Sequence, residues 1–203
     1  MKTISVTFPL AKIFYGENHR TNKPPVGHKR SYVALLGDEW NYLTHVDYYE
    51  NIPDSWNQPK DTSWDDLDQD ITTAFDECGD LCVYTRGQIV GICTIGRPVA
   101  RWKDSGVYEF TRICFDFEPK TNKERKYYSK FIREAMTDFQ QDNEVSKFVT
   151  YIHDYQSGRY LEYAGFSKDK HIQYGVNNKG WSTRDNRAPS DLSSKYRFIK
   201  EVA

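Results

Sequence analysis

Thr121-Asn122-Lys123-Glu124-Arg125-Lys126-Tyr127-Tyr128-Ser129-Lys130-Phe131-Ile132-Arg133-Glu134-Ala135-Met136-Thr137-Asp138-Phe139, then Phe148-Val149-Thr150-Tyr151-Ile152-His153, then Gly158-Arg159-Tyr160-Leu161-Glu162-Tyr163-Ala164-Gly165-Phe166, is the stretch that decides the fold. Thr121 and Glu124 have capping-box spacing, so a helix starts there. Tyr128, Phe131, Ile132, Ala135 and Phe139 recur at helical spacing and give it one apolar face. Phe148 to His153 is apolar on both faces, as a central strand covered from both sides must be. Gly158 to Ala164 reads as a short helix stopped by Gly165, with Phe166 returning to the core.

Upstream the pattern is that of strands. Thr3 to Phe8 alternates, Leu10 to Asn18 suits a short helix, and Thr21 to His28 is a polar loop with Pro24, Pro25 and Gly27. Ser31 to Leu36 is strand-like. Leu81 to Thr85 and Gln88 to Ile95 flank Arg86-Gly87, which predicts a two-residue hairpin turn. Val107 to Phe115 forms the next strand, preceded by an Asp104-Ser105-Gly106 turn. Downstream, strands are expected near His171 to Val176 and Lys195 to Lys200. The result is a single α/β (α+β) domain over residues 1–203, a mixed central sheet flanked by helices.

The composition excludes several classes. Apolar content of 38% with 15% aromatics is too high for a disordered chain. A mean hydropathy of −0.80 and the lack of a long apolar run exclude a spanning helix, so no membrane partner is expected. Thr7, Pro9 and Lys12 interrupt the apolar start, which makes it a poor secretory signal. Cys78, Cys82, Cys93 and Cys114 are then expected as free thiols in a reducing cytoplasm. Cys78 and Cys82 lack a second pair at zinc-ligand spacing, so no metal site is expected.

Charge is unevenly divided. Asp38 to Asp80 holds thirteen acidic residues against Lys60, a net −12, and the rest of the chain therefore carries +11. The acidic segment also contains Trp40, Tyr42, Tyr48, Tyr49, Trp56, Trp64 and Phe75, which points to an insertion folded against the body, with Trp64 to Phe75 as a short helix. A solvated loop, a lid, or a cover on a basic groove all fit that pattern.

A meander, a helix, a covered strand, a short helix ending in Gly-Phe and further strands is the order of the GNAT acyltransferase fold. More local strings are His19-Arg20-Thr21-Asn22-Lys23-Pro24-Pro25-Val26-Gly27-His28-Lys29, Gly96-Arg97-Pro98-Val99-Ala100-Arg101, Glu109-Phe110-Thr111-Arg112, Thr150-Tyr151 and Gly180-Trp181-Ser182 followed by Arg184. In this order they resemble a phage and bacterial GNAT-like family similar to the phage Mom DNA-modification proteins, over residues 17–36 and 81–198. The resemblance implies transfer of a small acetamide or acyl group to adenine N6 in DNA, protecting it from restriction.

It also implies an acetyl-CoA or related donor, whose phosphates GNAT enzymes hold at a glycine-rich helix start. The corresponding residues here, Lys123, Arg125, Lys126 and Ser129, lie in a stretch without glycine, so side chains crowd a close backbone approach. The position of the usual thiolate-protonating tyrosine holds Leu161, and helical rotation directs Tyr160 and Tyr163 elsewhere.

Polar residues at strand ends supply the remaining chemistry. Arg112 and Asp154 are the expected catalytic pair, with Tyr151 and His19 next. Asp154 can orient or deprotonate an amine, or be an N-cap or turn aspartate before the following helix; Tyr151 can stack on a base, donate a hydrogen bond or pack in the core. Glu109 and Arg112, three apart, face opposite sides of a regular strand and the same side only across a bulge. Arg20, His28, Lys29, Arg97, Arg101, Glu109 and Trp181 are expected to bind substrate, the basic clusters suiting DNA phosphates. Three classes stand at this level: a Mom-like DNA-modifying transferase, a GNAT N-acyltransferase acting on a small amine or a protein, and an acidic binding module on a GNAT scaffold.

Overall fold

A computed structural model describes residues 1–6, 8, 11, 12, 14, 15, 27–45, 71–75, 81–98, 102, 105–116, 120–173 and 194–202. Its strands are β1 (Lys2–Val6), β2 (His28–His45), β3 (Ile71–Phe75), β4 (Leu81–Gly96), β5 (Val107–Phe115), β6 (Lys147–His153), β7 (Ser167–Ile172) and β8 (Lys195–Glu201). The helices are α1 (Asn122–Gln141) and α2 (Arg159–Tyr163). Near the N-terminus Phe8, Ala11, Lys12, Phe14 and Tyr15 are also helical. Among the described residues no helix is long and apolar enough to cross a membrane.

All eight strands form one sheet, in the order β1-β2-β4-β5-β6-β8-β7, with β3 also on β4. Among the described residues every pairing is antiparallel except β5 with β6. A parallel pair needs a crossover, and α1 supplies it. A meander, a crossover helix, a covered strand, a short helix and a final antiparallel pair make this a GNAT-like α/β fold.

Helix α1 forms where the sequence predicts it. Thr121 accepts from the Glu124 N–H at 3.2 Å, and the Glu124 carboxylate accepts from the N–H groups of Thr121 (2.9 Å) and Lys120 (2.7 Å). Its buried residues Tyr128, Phe131, Ile132, Ala135, Met136 and Phe139 cover one sheet face. There all but Tyr128 join Phe110, Phe148, Ile152, Leu161, Phe166 and Phe198 in the main core. Ala11, Phe14 and Tyr15 cover the other face against Val33, Leu35, Ile92 and Cys114. Cys82, Cys93 and Cys114 are buried free thiols.

Four expectations change. Arg86-Gly87 is no hairpin turn: β4 runs on through it, because β2 lies along both halves. Between the pairs Leu36–Gln88 and Trp40–Arg86, three residues of β2 oppose one of β4. Gly87 takes φ 98° there, and a Cβ on it would sit 2.8 Å from the Gly37 carbonyl oxygen. This is a three-against-one bulge, which bends a strand without ending it. Second, Ile71–Phe75 is a strand and not the end of a helix, as its β-branched Ile71-Thr72-Thr73 run favours. The acidic segment thus enters and leaves through the sheet, at residues 38–45 and 71–75. Third, β2 begins at His28, which belongs to a strand and not to a loop. Fourth, β7 lies four residues before its predicted start, directly after the Gly165 stop.

Candidate active site

Strands β5 and β6 pair through only four steps, Val107–Lys147 to Phe110–Thr150. Beyond these, β5 stays with β4 through Phe115, while β6 stays with β8 through His153. The two parallel strands therefore part company and leave a cleft at their carboxyl ends, the place where open α/β sheets bind ligands. Thr150 Oγ1 donates to the Phe110 carbonyl at 3.1 Å and ties the vertex of the cleft.

A bulge sets what faces this cleft. Thr94 pairs with Arg112, but Ile95 pairs with Phe110, so Thr111 is the extra residue. Gly96 then pairs with Glu109. Since Thr94 and Gly96 share a face of β4, Glu109 and Arg112 share a face of β5, opposite α1. A regular strand would have divided them. Val149 is the register partner of Glu109, so Tyr151, two residues on, is on this same face. The Glu109 side chain is only 6% exposed. Burial, followed by the Glu109 charge, raises the Tyr151 hydroxyl above the usual phenol range. Arg197, register partner of Tyr151, lies 5.0 Å over the Trp102 ring and pairs with Asp169.

A hydrogen-bonded series runs behind the row. Tyr15 Oη lies 2.9 Å from Thr94 Oγ1, Thr94 Oγ1 2.7 Å from Ser31 Oγ, and Ser31 Oγ 3.1 Å from His28 Nε2. Tyr15, Thr94 and Ser31 are 0% exposed. Burial drives the Tyr15 hydroxyl well above the usual phenol range, and Arg112 works against that shift. His28, packed 4.3 Å from the Phe8 ring, has its imidazole lowered by burial.

On the α1 side the cleft is closed by aromatics. Phe115 stacks on Tyr128 at 3.6 Å and meets Tyr160 edge-on at 5.4 Å, so a side chain of α2 touches the last residue of β5. Tyr160 was expected to point elsewhere; Leu161, fully buried, is the one turned into the core. Burial raises the Tyr160 hydroxyl above the usual phenol range.

The other expected residues are dispersed. Asp154 is exposed in the turn after β6, its N–H donating to the Ser194 carbonyl at 3.2 Å and its carboxylate 3.8 Å from His171 Nε2. It therefore stands at the cleft mouth as a turn residue, not as a helix cap. Lys29 reaches the Tyr108 ring at 5.6 Å, and Tyr108 packs on Phe139 of α1, so Lys29 serves the face away from His28. Arg97 is exposed, its N–H donating to the Gly27 carbonyl at 2.8 Å. At the start of α1, Arg125 donates to Asn122 Oδ1 and the Lys120 carbonyl, and Lys123 lies 6.0 Å over Tyr127. Lys126 is exposed. The buried Ser129 hydroxyl donates to the Lys126 carbonyl and so points along its own helix, away from any donor. His19, Arg20, Arg101 and Trp181 lie outside the described residues.

Sequence reading missed Tyr15, Ser31, Thr94 and Tyr160. The first three are far apart in sequence: the β2–β4 register pairs Ser31 with Thr94, and the N-terminal helical segment brings Tyr15 onto Thr94, so no local signal exists for them.

No protein-family model matches the chain, and no curated protein matches it. Solved structures similar to it include an IAA acetyltransferase from Bacillus cereus ATCC 14579, at 10% identity and a TM-score of 0.49, covering 99% of this chain and 100% of that one. An acetyltransferase of the GNAT family from Streptococcus pneumoniae matches at 14% identity and a TM-score of 0.41, over 66% of this chain and 68% of that one. An aminoglycoside acetyltransferase solved with coenzyme A matches at 15% identity and a TM-score of 0.40, over 60% of this chain and 64% of that one. The chain thus spans less than two thirds of that enzyme's length.

Proposed function

We propose that the chain transfers an acyl group from an acyl-CoA thioester to an amine held in the β5–β6 cleft. The observation that carries this reading is the Thr111 bulge, which turns a buried carboxylate and a guanidinium to one side of a gap between parallel strands. The peptide edges of β5 and β6 that diverge there suit an extended, amide-bearing arm lying between them. When bound, the donor supplies an activated carbonyl next to a thiolate leaving group.

The chain's residues fit such a donor, with a different emphasis at the phosphate end. Glu124 already takes the N–H groups of Lys120 and Thr121, so a donor's diphosphate would be held there by the charges of Lys120, Lys123, Arg125 and Lys126. Glu109 attracts the acceptor amine and takes the N–H proton that nitrogen releases on attack. Tyr160, which keeps its proton because of its burial, is placed to protonate the departing sulfur. Arg112, on the same face of β5 as Glu109, is suited to bind anionic groups there.

The test is purified protein with acetyl-CoA and a panel of alkylamines, arylamines and lysine peptides, read by product mass. Glu109→Gln is expected to lower kcat about 10²- to 10⁴-fold while leaving the KM for acetyl-CoA within about twofold. Transfer unchanged in that variant would remove Glu109 from the mechanism.

A second reading keeps the cleft and changes the acceptor to the exocyclic amine of a DNA base, as in the Mom-like resemblance. One observation favours it: Tyr155, 69% exposed, stacks on His153 at 5.1 Å and 12° beside the mouth, a flat surface on which an extruded base can lie. Nucleosides from DNA of cells expressing the chain, analysed by mass, distinguish the two. A new adenosine mass selects the second; an unchanged profile removes it.

A further inference from the structure

Beyond the cleft, one indole lies on the face of β6 and β8 that is turned away from α1. Lys147 Nζ is 5.5 Å and the Arg197 guanidinium 5.0 Å from the Trp102 ring. Lys147 comes from β6 and Arg197 from β8, where Arg197 is the register partner of Tyr151. Both cations already hold carboxylates: Lys147 meets Glu201 at 2.9 Å, and Arg197 pairs with Asp169. Their task at Trp102 is to anchor the ring.

The anchored indole has one polar atom, Nε1. It is buried and has no hydrogen-bond partner among the described residues. A buried indole N–H normally donates to an acceptor, so an acceptor belongs beside this one. The Tyr151 hydroxyl is close at hand. Burial and then the Glu109 charge raise it, so it keeps its proton, while Arg197 and Trp102, donors turned toward its oxygen, work the other way. With those donors at its oxygen, the Tyr151 proton is directed away from them. Hydroxyl and indole N–H are thus two neutral donors side by side. Glu109 stands across from them on the same face. Its register partner is Val149, and Tyr151 is two residues on, which sets the Glu109 and Tyr151 Cα atoms about 8 Å apart. A carboxylate that draws an amine and a donor pair that draws an oxygen lie within the span of one short ligand.

We infer that Trp102 and Tyr151 bind the carbonyl oxygen of an acceptor whose amine Glu109 holds, which makes the acceptor class an α-amino amide. The inference rests on the amine-acyltransfer reading above and names its acceptor. In an α-amino amide the nitrogen and the carbonyl sit on neighbouring carbons, which matches the short span. A neutral carbonyl also matches two neutral donors, whereas a free carboxylate would lie opposite the buried charge of Glu109. A free amino-acid amide and the first residue of a peptide share this chemistry.

The test uses the full-length chain, acetyl-CoA and four acceptors: alaninamide, an alanyl tripeptide amide, alanine and sec-butylamine, in which an ethyl group replaces the carboxamide. With rates referred to the neutral amine, the parent is expected to favour alaninamide over sec-butylamine about tenfold or more in kcat/KM. Trp102→Phe keeps a ring for the two cations and deletes the N–H. It is expected to cut that preference about three- to tenfold, and Tyr151→Phe to do the same. The preference is a ratio within one protein, so a general loss of activity cancels. Binding is read separately from the proton NMR signal of the Trp102 indole N–H, assigned by its loss in Trp102→Phe. Alaninamide is expected to move this signal downfield, and sec-butylamine to leave it in place. The tripeptide amide and alaninamide, compared in turnover, tell a peptide terminus from a free amide as the source.

An undiminished preference in a folded Trp102→Phe chain, or an indole signal that alaninamide does not move, would overturn the inference and leave acyl transfer standing. Faster turnover of alanine than of alaninamide would overturn the neutral carbonyl. If no amine is acetylated while alaninamide still moves the indole signal, the acyltransfer reading falls and the carbonyl site stands. Should Trp102→Phe fail to fold, Tyr151→Phe carries the same comparison.

Discussion

Gly96 lies where the start of β2 presses closest on the end of β4. A Cβ at this position would come within 2.1 Å of the Gly27 carbonyl oxygen and 2.7 Å of its carbon, both backbone atoms that cannot swing aside. Gly96→Ala is therefore expected to push His28 off its partner and to destabilise the chain by about 1–3 kcal/mol, the usual range for overpacking, as read by urea unfolding. His28 carries a second residue-scale expectation. Its folded-state value lies below the ordinary 6.5, so the unfolded chain binds the additional proton as pH falls. Its share of stability is complete above about pH 6.5 and is lost on acidification through the lowered value. Denaturation midpoints between pH 7 and pH 5 should fall with a slope that His28→Asn reduces. An identical slope in the variant would assign the acid sensitivity to other groups.

At the scale of elements, α1 is the part whose behaviour the sequence makes plainest. Its capping box and its apolar positions are local, spaced by three and four residues, and both are present as expected. Thr121→Ala should cost about 1 kcal/mol and speed amide exchange in the first turn only. Phe131→Ala, at 0% exposure in the core, should cost about 3–5 kcal/mol and lower the global unfolding midpoint. Strand β5 was equally legible in its limits, Val107 to Phe115, but not in its faces. Whether Glu109 and Arg112 share a side depends on Thr111 being skipped in the pairing with β4, and β4 begins to pair only after folding. The same holds for Arg86-Gly87, whose local chemistry suits a tight turn. A neighbouring strand that runs past both halves overrides it. Long-range register, not local preference, decided both.

For the whole molecule, the order of elements was readable because each boundary has its own stop or start residue. The contents of the site were only partly so. Glu109, Arg112 and Tyr151 follow from one local motif and one strand, and they come together on one face. Tyr15, Ser31 and Thr94 come from three separate stretches, and only the three-dimensional sheet brings them into line. Asp154 follows the central strand as the sequence implies, and takes the turn position that was one of its alternatives. The separation of charge in the chain also has a measurable outcome at this scale. Residues 46–70 hold eight acidic residues against Lys60, so their removal takes the formal net charge from −1 to +6. A variant with that stretch shortened should bind heparin more tightly than the parent, with salt-sensitive elution.

The way β2 and β3 flank β4 makes that shortening feasible. His45 sits opposite Cys82 on one side of β4, and Ile71 opposite Thr85 on the other. Both strands run antiparallel to β4 and hence parallel to each other, so the link must cross a face of the sheet over β4, which takes about a dozen residues. The chain spends twenty-five on it, residues 46–70. Connectivity therefore accounts for about half of the length, and the remainder is room in which a shorter tether or a foreign module can be grafted.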